Sequence, residues 1–457
     1  MTSKSFVEPF STKTYQRRRA ELIRKLSKIS NGDFTALFWS GYEISRNSTN
    51  TFTFRANSDF LYLTGFSEPE TLILLQQKNG KIRTAIGVRP RDFSNNRGSE
   101  IWDGERVGVE RAPKALGFDE AFNSHDAFEV AKKWILQTPA TFWSLGLTPD
   151  WDQKIIGIHT DSTAQMRGIV QEEKLMDPRP TLHEMRKIKS PEEIKAMKRA
   201  ADIAAKGHIR AMKTTHPGHY EYEVQAEVER EIKKHGAQST SYNSIVAAGN
   251  NACTLHYNTN RAVLKKHDLI LIDAGAEYFG YASDITRCYP VSGTFTSAQK
   301  EVYSWVLKAQ LTAIQTVRSG ISFYKPHEEA LKILCTALYK MGIFPKANPK
   351  KILKEGLYKP YFPHGTSHWL GMDVHDSGIY RKKDQKKEPV KLAPGNVLTI
   401  EPGLYFRADD RKVPARFRGI GIRIEDDVLV TKSGREVLSK NCPKLIQDIE
   451  ALCGPKL

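Results

Sequence analysis

Three apolar runs in the second half of the chain close on a carboxylate: Leu269-Ile270-Leu271-Ile272 on Asp273, Val397-Leu398-Thr399-Ile400 on Glu401, and Gly421-Ile422-Arg423-Ile424 on Glu425. Each run reads as a buried strand. Period-two alternation puts Glu401 on one face with Val397 and Thr399, and puts Arg423 and Glu425 together opposite Ile422 and Ile424. An unpaired buried carboxylate is prohibitively costly, so these side chains must either reach solvent or be compensated, and a metal ion is one such compensation. Asp284 follows Asp273 by eleven residues, and a turn at Glu277 to Gly280 brings the two onto paired strands. Taken alone, an Asp at a strand end is more often a turn former or cap than a ligand. The two further acidic strand ends shift that balance toward chemistry.

Histidines concentrate in the same half. His364, His368 and His375 fall within twelve residues, out of thirteen histidines in the chain. Four carboxylates and one imidazole form a hard, mostly oxygen ligand set that suits Mn²⁺ or a similar divalent ion over a thiolate-loving metal. Four negative charges balance two such ions. A two-metal site ~3.5 to 4 Å across lets a bridging water lose its proton near neutral pH and attack a polarised carbonyl. The five cysteines, Cys253, Cys288, Cys335, Cys442 and Cys453, are odd in number and form no CxxC pair. They argue against a disulfide framework or a thiolate zinc site, and read as free thiols.

The remaining composition limits the alternatives. At about 150 residues per domain, 457 residues suffice for two or three domains with full cores. Mean hydropathy is −0.48, no window reaches the ~18 uninterrupted apolar residues of a membrane span, and Met1 to Phe6 has no apolar core of signal-peptide length. The expectation is a globular, cytoplasmic protein with no membrane partner. Lysines and arginines outnumber acidic residues 69 to 52, a net charge of +17, and cluster at Arg17-Arg18-Arg19 and over Arg381 to Lys387. A basic surface attracts polyanions without sequence preference. No Cys/His finger, RNP-type pattern or GxxG loop accompanies these clusters, so they read as solvated surface with no specific nucleic-acid partner.

Along the chain, Phe34 to about Pro178 alternates short apolar runs, such as Thr71 to Leu75 and Thr84 to Val88, with helix-like stretches such as Ala127 to Leu136. That pattern suggests an α/β domain. Met176-Asp177-Pro178-Arg179-Pro180 disfavours helix on the N-terminal side of each proline and reads as a linker, so the boundary is placed near 180, giving domains 1–180 and 181–457. Ser190-Pro191-Glu192-Glu193 is a capping box opening a helix to about Met212. Helices over Glu221 to His235, Ser297 to Val317 and Pro326 to Met341 are expected, with strands at Leu269 to Ile272, Val397 to Ile400 and Ile420 to Val430. The C-terminal half is therefore α+β.

With these residues assembled, the chain resembles the pita-bread metallopeptidases, and within them the aminopeptidase P family. Ile272 to Tyr278, Asp284-Ile285-Thr286-Arg287, His364 to His375, Leu398 to Gly403 and Arg418 to Asp427 occur in the family's order. Asn57 to Phe66 and Glu100-Ile101-Trp102-Asp103-Gly104 resemble its N-terminal half, so the likeness spans nearly the whole chain. It implies a smaller α/β domain of creatinase type followed by a pita-bread catalytic domain whose curved sheet holds two divalent metal ions. By the resemblance, Asp273, Asp284, His368, Glu401 and Glu425 are metal ligands, Asp284 and Glu425 bridge, and Glu401 also manages the proton of the attacking water. His256, His364 and His375 line the substrate pocket, with His375 donating to the carbonyl oxygen in the transition state. Arg423 holds the carboxylates in place. Thr366 stands where a larger apolar residue is expected.

The implied activity is hydrolysis of the bond between an N-terminal residue and a following proline in peptides. Prolidase, which splits Xaa-Pro dipeptides on the same fold, is the alternative. Methionine aminopeptidase fits less well because ~180 residues precede the catalytic domain, in line with ordinary domain size. A non-catalytic, creatinase-like peptide-binding protein is the alternative of another class, and it typically lacks the five ligands. The family often forms dimers or tetramers in which the N-terminal domain of one subunit borders the active site of another, where Trp102 matches, so a homodimer or homotetramer is expected.

Overall fold

In the computed structural model, Ser190 caps the helix Pro191–Thr214: Ser190 Oγ accepts the Glu193 N–H at 3.4 Å, and the Glu193 carboxylate accepts the Ser190 N–H at 2.9 Å. The helix buries Ala196, Ala200, Ala201, Ala204 and Ala211 and packs against the helix Glu221–Lys234, where a Cβ on Gly207 would meet the Val228 carbonyl at 3.1 Å. Residues 10–92, 99–160, 174–382 and 387–453 are described; Met1 to Phe6 and the stretch 383–386 of the second basic run lie outside them. The chain divides into two compact units between Met185 and Arg186, five residues past the expected boundary. Of the stretch read as a linker, Met176 ends the strand Lys174–Met176 and Arg179 and Pro180 already belong to the helix Arg179–Lys187, so only Asp177 and Pro178 join the two. Pro180 sits in its first turn, where the missing N–H has no helical partner to lose, and the Pro178 carbonyl accepts the Thr181 and Leu182 N–H groups.

The first unit is built on one six-stranded sheet in the order β4-β3-β2-β1-β5-β6, with β1 Phe34–Trp39, β2 Leu72–Lys78, β3 Lys81–Val88, β4 Glu120–Asn123, β5 Ala140–Phe142 and β6 Lys174–Met176. The neighbours β1, β2 and β3 are antiparallel, and the outer pairs β3/β4, β1/β5 and β5/β6 are parallel. The helix Ala127–Ile135 lays Ala131, Trp134 and Ile135 on Leu37, Leu72 and Leu74. In the helix Thr12–Ser30 the reading of Arg17-Arg18-Arg19 as solvated surface is corrected for two of the three. Arg18 and Arg19 are buried: Arg18 lies over the Tyr62 ring and donates to the Tyr62 carbonyl, while Arg19 lies over Phe118 and donates to the Leu63 and Leu116 carbonyls. Planar guanidinium groups suit that mixed aromatic and carbonyl setting.

The second unit carries short antiparallel strands: β7 Ser239–Thr240, β8 Ile245–Ala248, β9 Leu269–Asp273, β10 Ala276–Tyr278, β11 Tyr281–Ala282, β12 Thr286–Pro290, β13 Val397–Ile400, β14 Gly403–Phe406, β15 Ile420–Arg423, β16 Asp426–Val430 and β17 Arg435–Val437. They pair in the orders β12-β9-β8, β11-β10-β7, β13-β16-β17 and β14-β15. The run Ile420 to Val430 is thus two strands in different sheets, broken at Ile424-Glu425. Helices Ser297–Thr316 and Lys325–Lys340 pack on each other and share a hydrophobic core with the strands.

Candidate metal centre

Asp273 ends β9 directly opposite Thr286 of β12 and opposite Ile245 of β8. Between β9 and β12 the chain makes a hairpin whose two turn residues, Phe279 and Gly280, have φ of +50° and +76°, the pattern of a type I′ turn. The hairpin returns Asp284 to Asp273, and the Tyr242 hydroxyl donates to both carboxylates, 2.6 Å from Asp284 Oδ1. Gly275 makes this return possible: a Cβ there would meet the Ser283 carbonyl at 1.8 Å.

Residues 366 to 370 run antiparallel beside β13. The Thr399 N–H donates to the His368 carbonyl at 3.0 Å, and the Glu401 N–H to the Thr366 carbonyl at 2.8 Å. His368 therefore faces Glu401, with Nε2 3.6 Å from Glu401 Oε1 and 3.4 Å from Asp284 Oδ2. Its Nδ1 lies 3.0 Å from the Trp369 carbonyl, which can only accept, so the proton sits on Nδ1 and Nε2 points at the carboxylates. Thr366, fully buried, shares a 2.8 Å hydrogen bond with His327 Nδ1, which explains how a polar residue is accommodated where a larger apolar one was expected.

The break between β15 and β16 positions Glu425. Its N–H donates to the Thr286 carbonyl at 3.1 Å, and its Oε2 accepts the Thr286 hydroxyl at 2.7 Å. Arg423 reaches three groups: Asp273 Oδ2 at 2.5 Å, Thr286 Oγ1 at 3.1 Å and the Tyr405 hydroxyl at 3.1 Å. His364 Nε2 lies 2.7 Å from that same hydroxyl, and the His375 ring lies 4.1 Å from the ring of His368. All nine expected residues, Asp273, Asp284, His368, Glu401, Glu425, His256, His364, His375 and Arg423, line one cavity of about 330 Å³. A second cavity of about 370 Å³, lined by Tyr242, Asn243, Ile245, Asn258 and Val374, shares His256, Asp273, Asp284 and His375 with it.

The electrostatics follow from packing one sign of charge. Burial first, then the Asp284 and Glu401 charges, hold the Glu425 carboxyl well above its ordinary value. Burial likewise pushes Glu401 up to about 7, against the opposing pull of His368 and Arg423. Burial alone would lower the His368 imidazole, but its bond to Asp284 and the charge of Glu401 overcome this and raise it to about 9. His364, whose buried ring also faces Arg423, falls to about 3. Carboxylates that prefer protons in this way lack counter-charge, which a divalent cation supplies. The donor set fits such an ion: among the described residues, Asp284, His368 and Glu425 offer ligand atoms that all lie within 4.8 Å of one another.

Residues 195–432 match the model of metallopeptidase family M24, and residues 15–143 that of the aminopeptidase P N-terminal domain. The chain belongs to metallopeptidase family M24. This M24 chain is 39% identical to the Xaa-Pro aminopeptidase of Escherichia coli over 97% of its own length and 98% of the relative's. It is 34% identical to the mitochondrial intermediate cleaving peptidase 55 of Arabidopsis thaliana, covering 88% of this chain and 75% of that one. An alanine variant of E. coli aminopeptidase P in complex with substrate superposes with a TM-score of 0.91 at 38% identity, covering 97% of this chain and 98% of that one. A proline aminopeptidase P II from Yersinia pestis gives 0.91 at 39%, covering 97% and 99%. The fold is thus an aminopeptidase P N-terminal domain followed by the pita-bread domain, and the M24 family is one of metallo-enzymes that use divalent ions.

Three polar residues at the centre escaped sequence reading: Tyr242, Thr286 and Tyr405. Thr286 carried a signal, since alternation puts it two residues from Asp284 on the same side. Tyr242 carried none, because its contacts are with residues 31 and 42 positions away.

Proposed function

We propose that this M24 metallopeptidase is a Xaa-Pro aminopeptidase, releasing the first residue from peptides with proline second. The observation that carries the reading is the convergence of Asp273, Asp284, His368, Glu401 and Glu425 in one cavity beside His256, His364 and His375. The five would hold two divalent ions, Mn²⁺ by the oxygen-rich character of the set, with Asp284 and Glu425 shared between them. When bound, such ions polarise the scissile carbonyl and acidify water. Glu401, in the same cavity as the other four carboxylate and imidazole ligands, takes the proton of the attacking water and returns one to the leaving nitrogen. His375 donates to the carbonyl oxygen as negative charge develops there. Arg423 holds Asp273 in place and opposes the upward shift that burial gives its carboxyl.

Proline at the second position fixes φ and removes the amide hydrogen of the scissile bond, which excludes peptidases that need that donor. The two cavities adjoin through His256, Asp273, Asp284 and His375 and offer about 330 and 370 Å³, supporting an occupant longer than a dipeptide. Initial rates on Xaa-Pro, Xaa-Pro-Yaa and Xaa-Ala-Yaa test the reading. The tripeptide with proline should be fastest, alanine in its place should cost most of the activity, and blocking the amino terminus nearly all of it. Preference for the bare dipeptide moves the assignment to prolidase, and indifference to proline sinks both.

The reading includes a homodimer or homotetramer, supported by the 81% exposure of Trp102 beside exposed Ile101; light scattering showing an active monomer refutes it. It also places the protein in the cytoplasm, supported by five cysteines that are odd in number and unpaired in the structure, three of them buried. No helix among the described residues is long and apolar enough to cross a membrane.

A further inference from the structure

The segment joining β8 to β9 carries His256, and one side chain gathers its hydrogen bonds. Glu221, the first residue of the helix Glu221–Lys234, is fully buried. Its Oε1 accepts the Ala248 N–H at 2.8 Å and Asn251 Nδ2 at 3.0 Å; its Oε2 accepts the Tyr257 hydroxyl at 2.8 Å and the Ala262 N–H at 2.9 Å. The Glu221 N–H in turn donates to the Ala262 carbonyl at 2.9 Å, and Asn251 Nδ2 lies 3.1 Å from the Tyr257 hydroxyl. Ala248 ends β8, so one carboxylate holds both ends of the stretch 248–262 and two points within it. Four donors use the lone-pair capacity of the Glu221 carboxyl oxygens, which is how a polar side chain so deeply buried is tolerated. On its other side, the 3₁₀ turn Gly249–Cys253 lies tight against β15: a Cβ on Gly421 would meet the Ala252 carbonyl at 2.3 Å. Tyr257 directly follows His256, and His256 lines both cavities.

We infer that Glu221 is a positioning residue for His256: through Tyr257 and Asn251 it fixes the path of this loop, and with it the imidazole at the wall the two cavities share. Its kinetic consequence rests on the aminopeptidase reading; its structural consequence does not. A flexible loop here leaves His256 spread over several positions and the substrate correspondingly misplaced.

The test is Tyr257→Phe, which removes one hydroxyl and keeps the ring, compared with His256→Ala and the double variant in the metal-loaded enzyme. Tyr257→Phe should lower kcat/KM on Xaa-Pro-Yaa by about tenfold, the order expected when a group at the site is misplaced by a fraction of an ångström. The double variant should be no worse than His256→Ala alone, because the hydroxyl acts through that imidazole. Additive losses, or full activity in Tyr257→Phe, overturn the inference. Hydrogen exchange over residues 249–262 should quicken in Tyr257→Phe with the rest of the chain unchanged, and unaltered exchange overturns it equally. Glu221→Gln, which turns an acceptor into a donor facing donors, should act in the same direction and more strongly. Should the wild type cleave no proline peptide, the substrate assignment fails by itself, and hydrogen exchange still decides the role of Glu221.

Discussion

Glu401 stands at the edge of two competing demands, since burial favours its neutral form while His368 and Arg423 favour its charge. A divalent cation in the site would add to the second demand and favour the charged form, the one that can accept a proton from water. Glu401→Gln preserves size and removes both the charge and the proton acceptor. Turnover in the metal-loaded variant should fall at least the ~10²-fold typical of losing general-base chemistry. Near-normal kcat with measured metal content would remove Glu401 from the mechanism. Arg423 shows how a side chain can be essential to geometry while facing several partners: it joins Asp273, Thr286 and Tyr405, three residues on three strands.

At the scale of elements, the centre depends on strand ends and on what interrupts strands. The β9/β12 pair supplies Asp273 and, through the β10–β11 hairpin, Asp284; the β15/β16 break supplies Glu425. Gly275 lies at the start of that hairpin with no space for a Cβ against the Ser283 backbone. Gly275→Ala should therefore destabilise the protein by about 1–3 kcal/mol, the usual range for overpacking, and should lower metal affinity more than a surface substitution of equal stability cost. Denaturant unfolding together with metal titration checks both halves; a fully stable variant with native affinity refutes them. Helices were the most legible elements: the Ser190 capping box opens the helix at Pro191, and Glu221 to His235 is out by one residue at its end. Capping signals are local, so they survive in the sequence.

For the whole molecule, charge and burial set the response to metal and pH. Chelation should abolish hydrolysis, with Mn²⁺ restoring it best among divalent ions; full activity in protein shown to be metal-free by atomic absorption would overturn the metal requirement. His208 is fully buried behind β9, its Nε2 3.0 Å from the Ala274 carbonyl, and burial lowers it from 6.5 to about 4. Between those values the unfolded chain binds a proton that the folded chain refuses, so stability is present above pH 6.5 and is lost as pH falls towards 4. Unfolding midpoints measured across this window should decline with acidification, and the decline should be shallower in His208→Gln at equal metal loading. Identical slopes would show that other groups carry the effect.

By itself the sequence determined the periodicities, caps and acidic strand ends, because these depend on neighbours within a few residues. Apolar runs closing on Asp273, Glu401 and Glu425 announced that buried carboxylates needed compensation. Only the tertiary structure decided what meets them. Tyr242 across Asp273 and Asp284, His327 beneath Thr366, and Glu221 under the His256 loop act over 27 to 42 residues of chain, a separation at which no local pattern records a contact. The basic cluster shows the same limit. Arg17-Arg18-Arg19 reads as surface charge by composition, yet the packing of the helix Thr12–Ser30 turns Arg18 and Arg19 inward, where carbonyls and aromatic rings far along the chain replace the water they lose.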